Sequence, residues 1–390
     1  MRKFKILFAL THAFTPNAGG VQRTTHKLGR KFTEMGHSVS YYITANEGNL
    51  EADYGKLFHA PKPGNVHNPE NIKHLKKVLN IIKPNFVINQ MPYEVKLSEV
   101  LASEKIKLNY ALLGCLRNSL FSVKNNVRDT SERVLPRIIF KLLDHKIGLK
   151  LLLQLHRLKH KKQLKRILDL HDKYVLLAPP NRNELNYFVG DYKKDKVCVV
   201  PNSIPKVYYE KFKREKFILY VGTLNISQKR ADLLIEFWKR TFIHLEDWKL
   251  IVLGVGSYKN EMERIIKNES IPRIELLGNQ KPEEWYKKAP IFVKTSAFEG
   301  FPNVILEAQS YGCIPVTFKS YDAISWIVND KKDALLIKPF DVDAMSIEVI
   351  KLAKEEYDIE KMSEAAKKNI SRFVIDNVAE EWMNLFYSFN

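Results

Sequence analysis

Cysteine is scarce in this chain: 390 residues hold three, Cys115, Cys198 and Cys313. They are scattered, with neither disulfide nor metal-ligand spacing, so a reduced cytoplasmic setting is expected. No His, Cys and Glu cluster has zinc spacing, and no metal site is expected. No Ser-His-Asp arrangement is visible, although a triad need not be local in sequence. No apolar run reaches the eighteen or so residues of a membrane span. The opening residues 2–10 pass from basic to apolar, but the run is short and no small-residue cleavage site follows. A first buried strand is the better reading. There is no solenoid-length repeat and no low-complexity tract. Negative charge is also in short supply. Forty-four Asp and Glu face 63 Lys and Arg, a formal net charge of +19. An excess of that size implies an anionic partner, whether nucleic acid, acidic lipid or a phosphorylated substrate. No nucleic-acid recognition module accompanies it, so nucleic acid is not expected.

What is present is an alternation. Residues 4–10, 38–43, 86–90, 108–113, 174–178 and 197–200 are short apolar runs with strand character. Helical patterns separate most of them, beginning at 21–35 after Gly19-Gly20. Strands alternating with helices predict a parallel, doubly wound sheet. Residues 201–216 break the pattern with two prolines and a charged run, as a linker would. The alternation then restarts, with strands at 217–221, 249–253, 274–277, 291–295 and 314–318. The fold class is therefore α/β, with two Rossmann-like domains facing across a cleft: 1–203, then 204–375. A ligand is expected at the carboxyl ends of the strands. The last helix, 376–390, carries Val378, Trp382, Leu385, Phe386 and Phe389 on one face. It is expected to bury that face on the first domain.

The richest stretch is Ser296 to Gln309, Ser-Ala-Phe-Glu-Gly-Phe-Pro-Asn-Val-Ile-Leu-Glu-Ala-Gln. A strand, a loop with Glu299, and a helix opening at Pro302 place free N–H groups and a positive dipole end at one mouth. Asn303 and Glu307, four apart, share a helix face. This set suits a nucleotide-sugar; an ordinary capped helix with one exposed Glu explains it equally well. Lys229 and Arg230 stand where the helix after strand 217–221 begins, and so could meet a phosphate there. Gly254-Val-Gly256 follows a strand and lets a backbone approach a ligand, though most such pairs are merely tight turns. Asp341-Val-Asp343 has a metal-binding spacing, but helix capping explains it better.

Residues 133–173 are the outlier, with twelve Lys or Arg against three Asp and leucines interleaved at helical spacing. A basic amphipathic helix of this kind suits an anionic membrane surface; the alternative is a pair of surface helices with solvated basic faces.

Together these pieces resemble the retaining GT-B glycosyltransferases of family 4 (glycosyl transferases group 1). The residues that carry the resemblance are the glycine pair after strand one, Val221-Gly-Thr-Leu with Gln228-Lys-Arg, and Glu299-Gly-Phe-Pro-Asn-Val-Ile-Leu-Glu307-Ala. The resemblance implies that Glu307 holds the ribose hydroxyls. The backbone at Asn303 and Val304 would meet the donor phosphate, and Lys229 would neutralise the diphosphate. Glu299 would stabilise the charge developing on the transferred sugar. Gly20 would let the first loop reach donor or acceptor. No metal and no cofactor are implied. Two positions depart from the family. Thr223 stands where an arginine is usual, and whether Arg230 takes over is open. Arg117, followed by Asn118, stands where the family often has a histidine; His12 is a different position. The expected function is transfer from a nucleoside diphosphate sugar, with UDP as the expected nucleotide, to a glycan or lipid-linked glycan. That would occur in bacterial surface polysaccharide synthesis, with the enzyme peripheral at the inner membrane face. The alternative is a non-catalytic nucleotide-sugar-binding or scaffold protein of the same fold.

Overall fold

A computed structural model describes residues 2–11, 19–45, 54–124 and 127–389, without the side chains of Asp129 and Arg133. His12 and most of the first loop lie outside the described residues. The first part of the chain runs β1 (Lys5–Leu10), α1 (Gly20–Glu34), β2 (Ser38–Ile43), β3 (Lys56–His59), α2 (Pro69–Ile82), β4 (Phe86–Asn89) and α3 (Val95–Leu108). It continues with β5 (Ala111–Cys115), α4 (Val127–Val134), α5 (Arg137–Leu143), α6 (Lys146–Leu170), β6 (Lys173–Leu176), α7 (Asn181–Val189) and β7 (Val197–Val199). After the linker come β8 (Phe217–Val221), α8 (Ala231–Thr241), β9 (Lys249–Leu253), α9 (Lys259–Asn268), β10 (Ile274–Gly278), α10 (Glu283–Lys288) and β11 (Ile291–Lys294). The chain ends with α11 (Asn303–Ser310), β12 (Ile314–Phe318), α12 (Ile324–Ile327), β13 (Leu335–Ile337), α13 (Val342–Ala353), α14 (Ile359–Ile370) and α15 (Ile375–Tyr387).

Two compact units divide these elements. Unit 1 takes Met1–Asn118, Gln154–Pro205 and Ile375–Asn390; unit 2 takes Ser119–Leu153 and Lys206–Val374. Residues 119–153 thus group with the second unit, whereas the sequence reading places them in a continuous 1–203 block. Their pattern of basic and apolar residues says that they are helical but not which core they join.

Unit 1 holds a parallel sheet in the order β3-β2-β1-β4-β5-β6-β7. The strand order reverses between β1 and β4, the point where ligands bind in open α/β sheets. Helices cover both faces, so the strands read as unbroken apolar runs: β1, β2 and β4 bury nearly every residue. Helix α15 belongs to this unit. Val378, Ala379, Trp382, Met383 and Phe386 recur at helical spacing and are buried. They pack on α1 and β4, with Phe386 stacked on Phe86 at 4.2 Å and Trp382 edge-on to Phe32 at 6.5 Å. Burial of these large side chains contributes about 1.5–3 kcal/mol each.

Unit 2 repeats the plan with the order β10-β9-β8-β11-β12-β13. Its switch point lies between β8 and β11. Both strands are apolar runs buried on both faces, Phe-Ile-Leu-Tyr-Val and Ile-Phe-Val followed by Lys294. Asp341 caps α13 by accepting from Ala344 N at 3.0 Å, and Asp343 pairs with Arg240 at 2.6 Å.

Candidate active site

The loops after β8 and β11 lie on either side of the unit 2 switch point, and the sequence ties them together. Asn225 Oδ1 accepts from Gln228 N and Lys229 N, at 2.9 and 3.0 Å, and so folds the first loop back on itself. Thr295 Oγ1 donates to Lys229 O, and Ala297 N to Gln228 O, each at 2.8 Å. The second loop is thereby stitched to the first.

This stitching brings two lysines onto one carboxylate. Glu299 Oε1 accepts from Lys229 Nζ at 2.7 Å, Lys294 Nζ at 2.8 Å and Ser296 Oγ at 2.8 Å. Lys294 is 1% exposed and Glu299 8%, while Lys229 keeps 16% of its side chain accessible. Burial pushes the Glu299 carboxyl up, but the charges and hydrogen bonds of Lys229 and Lys294 outweigh it and hold the group at about 2. Glu299 is therefore a fixed negative charge, unable to act as a proton donor near neutrality. Burial lowers the Lys294 ammonium, Glu299 opposes that, Lys229 adds to it, and the group settles at about 8. Two ammonium groups around one carboxylate leave a surplus positive charge in a buried place.

Sequence reasoning placed Lys229 and Glu299 but passed over Lys294. It read 291–295 as an apolar run, although a lysine closing such a run, five residues before Glu299, has to find a carboxylate.

Beside this cluster α11 opens with Pro302 as its N-cap. The Asn303 N–H is already used, donating to Phe301 O at 3.0 Å. An anion at this helix end would therefore meet the groups after Asn303, Val304 first. Glu307 lies one turn along, with Tyr286 Oη at 3.5 Å from its Oε2, at the outer limit of a hydrogen bond.

The remaining expected site residues are placed as follows. Thr223, after β8, is exposed. Arg230 adopts a left-handed backbone, φ 50°, and turns to Asp232, with Nη2 to Oδ2 at 2.7 Å and Nε to Oδ1 at 3.0 Å. Its charge is thus matched locally. Gly254 faces backbone: a Cβ there would lie 1.9 Å from Gly222 O. Its role in the fold is the close approach of the β8 and β9 loops. Gly20 and Arg117 belong to unit 1. Gly20 is the exposed first residue of α1. Arg117 is buried beyond β5, with Nε to Gln90 Oε1 at 2.5 Å and Nη1 to Asn202 Oδ1 at 3.0 Å. Among the described residues no three acidic, histidine or cysteine side chains gather as a metal site.

The chain resembles known proteins in part of its sequence and in its fold. Residues 206–369 match the family model described as glycosyl transferases group 1. An exopolysaccharide phosphotransferase of Streptomyces coelicolor is 23% identical over 218 residues, 55% of this chain and 23% of its own length. The amylovoran biosynthesis glycosyltransferase AmsD of Erwinia amylovora is 24% identical over 226 residues, 55% of this chain and 62% of its own. The chain thus spans less than two thirds of the length of these curated relatives. HepE of Anabaena, solved in complex with UDP-glucose, superposes with a TM-score of 0.73 at 14% identity, over 98% of this chain and 99% of that one. The fold is that of the GT-B glycosyltransferases, and the segment carrying Lys229, Lys294, Glu299 and Glu307 is the one that matches glycosyl transferases group 1.

Proposed function

We propose that the protein is a retaining, metal-independent glycosyltransferase of family 4, moving a sugar from a UDP-linked donor to a hydroxyl of a glycan or lipid-linked glycan. The product would be a bacterial surface polysaccharide. The observation that carries this reading is the Lys229–Glu299–Lys294 cluster at the unit 2 switch point, with α11 opening beside it. Its surplus positive charge is fixed before any ligand arrives, as electrostatic stabilisation of a departing diphosphate requires. In the reaction the bond between the sugar's anomeric carbon and the diphosphate oxygen breaks. The acceptor oxygen bonds to that carbon on the same face, and the acceptor's proton passes to the departing phosphate oxygen. Lys229 and Lys294 balance the charge left on the diphosphate, and Glu299 balances the positive charge on the sugar. Glu307 takes the ribose hydroxyls.

The direct test is nucleotide release from a panel of UDP-sugars by wild type and Glu299→Gln. Release by wild type, reduced at least a hundredfold in the variant, supports transfer. Equal background release from every donor removes the enzyme reading. It would leave a nucleotide-sugar-binding protein without turnover, an alternative favoured by Thr223 and by the pairing of Arg230 with Asp232.

The site of action would be the cytoplasmic face of a membrane. On α6, Ile147, Leu151, Leu155 and Leu158 form one stripe and are 76%, 53%, 54% and 64% exposed. On α5, Ile138 and Leu142 are 77% and 71% exposed. Lys150, Lys159 and Lys162 are also exposed on α6. Apolar side chains held out in water among cations favour an anionic bilayer surface. Among the described residues no helix is long and apolar enough to cross a membrane.

A further inference from the structure

The buried end of unit 1 has an imbalance of its own. Gln90 directly follows β4 and Arg117 follows β5, and these strands are neighbours in the parallel sheet, next to the β1/β4 switch point. Both side chains are buried, Gln90 at 0% and Arg117 at 7% exposure. A guanidinium can only donate, so the Gln90 atom 2.5 Å from Arg117 Nε has to be the amide oxygen. The orientation of the amide is thereby fixed, and its Nε2 is left without the arginine as a partner.

Gln90 Nε2 and Arg117 Nη2 are both buried and have no hydrogen-bond partner among the described residues. The oxygen acceptors that Arg117 does reach, Gln90 Oε1 and Asn202 Oδ1, are neutral amides, and burial keeps the adjacent Cys115 thiol neutral as well. A guanidinium held out of water without a counter-charge is costly, as is each unmet donor. A structural tie between the ends of β4, β5 and β7 would need only Nε and Nη1. It accounts for neither the charge nor the two idle donors. An incoming group that carries negative charge and two acceptor lone pairs would satisfy all three.

We propose that Arg117 and Gln90 form an oxyanion-binding position on unit 1, which takes a carboxylate or phosphate oxygen of a substrate. The position stands on the buried donors alone; that its ligand is a sugar or glycan substrate rests on the transferase reading above. The shared chemistry has two sources, the carboxylate of an acidic sugar and a phosphate ester.

Thermal unfolding of the full chain at constant ionic strength separates them, using glucuronate, inorganic phosphate, neutral glucose and UDP as probes. Glucuronate or phosphate should raise the Tm of wild type in a dose-dependent way, and glucose should not. A response to glucuronate alone identifies the sugar carboxylate, and a response to phosphate alone the phosphate ester. Arg117→Gln, which keeps a donor but loses the charge, should lose that response. Arg117→Lys, which keeps the charge but loses the fork, should need at least tenfold more ligand. The UDP shift in wild type reads the donor site separately. If UDP raises Tm while neither oxyanion does, this proposal fails and the donor reading stands. If the oxyanion response survives unchanged in Arg117→Lys and Arg117→Gln, the proposal also fails, because the ion then binds elsewhere. Should Arg117→Gln not fold, the wild-type titrations and Arg117→Lys decide the matter.

Discussion

Replacing Lys294 by methionine separates stability from function at the unit 2 cluster. Methionine keeps the length of the side chain and removes the charge. The drop of the Glu299 carboxyl from an ordinary 4.5 to about 2 corresponds to about 3 kcal/mol in favour of its ionised form. The drop of the Lys294 ammonium from 10.5 to about 8 corresponds to a cost of about 3 kcal/mol for holding that charge in the core. The Lys294–Glu299 attraction enters both shifts, and it is set against the desolvation of the lysine, as in buried ion pairs generally. In the variant, Glu299 still accepts from Lys229 at 2.7 Å and from Ser296 at 2.8 Å. Unfolding free energy should therefore change by no more than about 1–2 kcal/mol. Catalysis should suffer far more. Losing one fixed charge aimed at the departing group costs about 100- to 1000-fold in kcat. Urea unfolding and steady-state donor turnover, measured on the same preparation, give both quantities. A stability loss above about 4 kcal/mol with turnover unchanged would refute the reasoning and make Lys294 a structural residue.

The same pair predicts pH behaviour. Lys294 is charged below about pH 8, so UDP affinity measured by calorimetry should fall as pH rises through 8 in wild type and lose that dependence in Lys294→Met. The folded-state value is depressed, so between about pH 8 and 10.5 the unfolded chain holds a proton the folded chain has shed. The stability penalty from Lys294 is thus full below 8 and fades towards 10.5, visible as a difference between the two proteins' unfolding curves. Gly254→Ala puts a methyl group 1.9 Å from Gly222 O and should lower stability by about 2–3 kcal/mol in chemical denaturation. Serine at Leu151, Leu155 and Leu158 together should reduce sedimentation with anionic vesicles more than tenfold. Neutralising Lys159, Lys161, Lys162, Lys165 and Arg166 should weaken it too, and unchanged binding in both variants would exclude this surface.

The fold was largely legible because doubly covered strands leave an apolar signature that needs no tertiary knowledge. The stretches 38–43, 217–221, 249–253 and 314–318 coincide with β2, β8, β9 and β12. What escaped was short or borrowed its stability from neighbours. Lys56–His59 is a half-buried edge strand, and Leu335–Ile337 has only three residues. The expected strand at 108–113 slid to Ala111–Cys115, because Leu108 ends the preceding helix and Asn109 takes a left-handed cap, φ 53°. In the candidate site, a local motif singled out Glu299 and Glu307. Lys294 and Gln90 matter only through partners on other strands. Arg230 was visible as a charge, but its left-handed backbone and its turn towards Asp232 were not. The open donors of Arg117 could not be read from spacing, because what they lack is a neighbour.

The path of the chain through unit 1 also bears on synthesis. Its core needs Phe32 and Phe86, made early, to meet Trp382 and Phe386, made about 300 residues later. Unit 2 is assembled from residues that all precede α15 in the chain. The second unit can therefore fold while the first still lacks a wall of its core, and the nascent first unit must wait with an apolar groove open. A truncation before Val378 would remove every buried side chain of α15 and strand that groove. Chaperone dependence and proteolytic loss should then concentrate in unit 1, with unit 2 surviving as the resistant fragment.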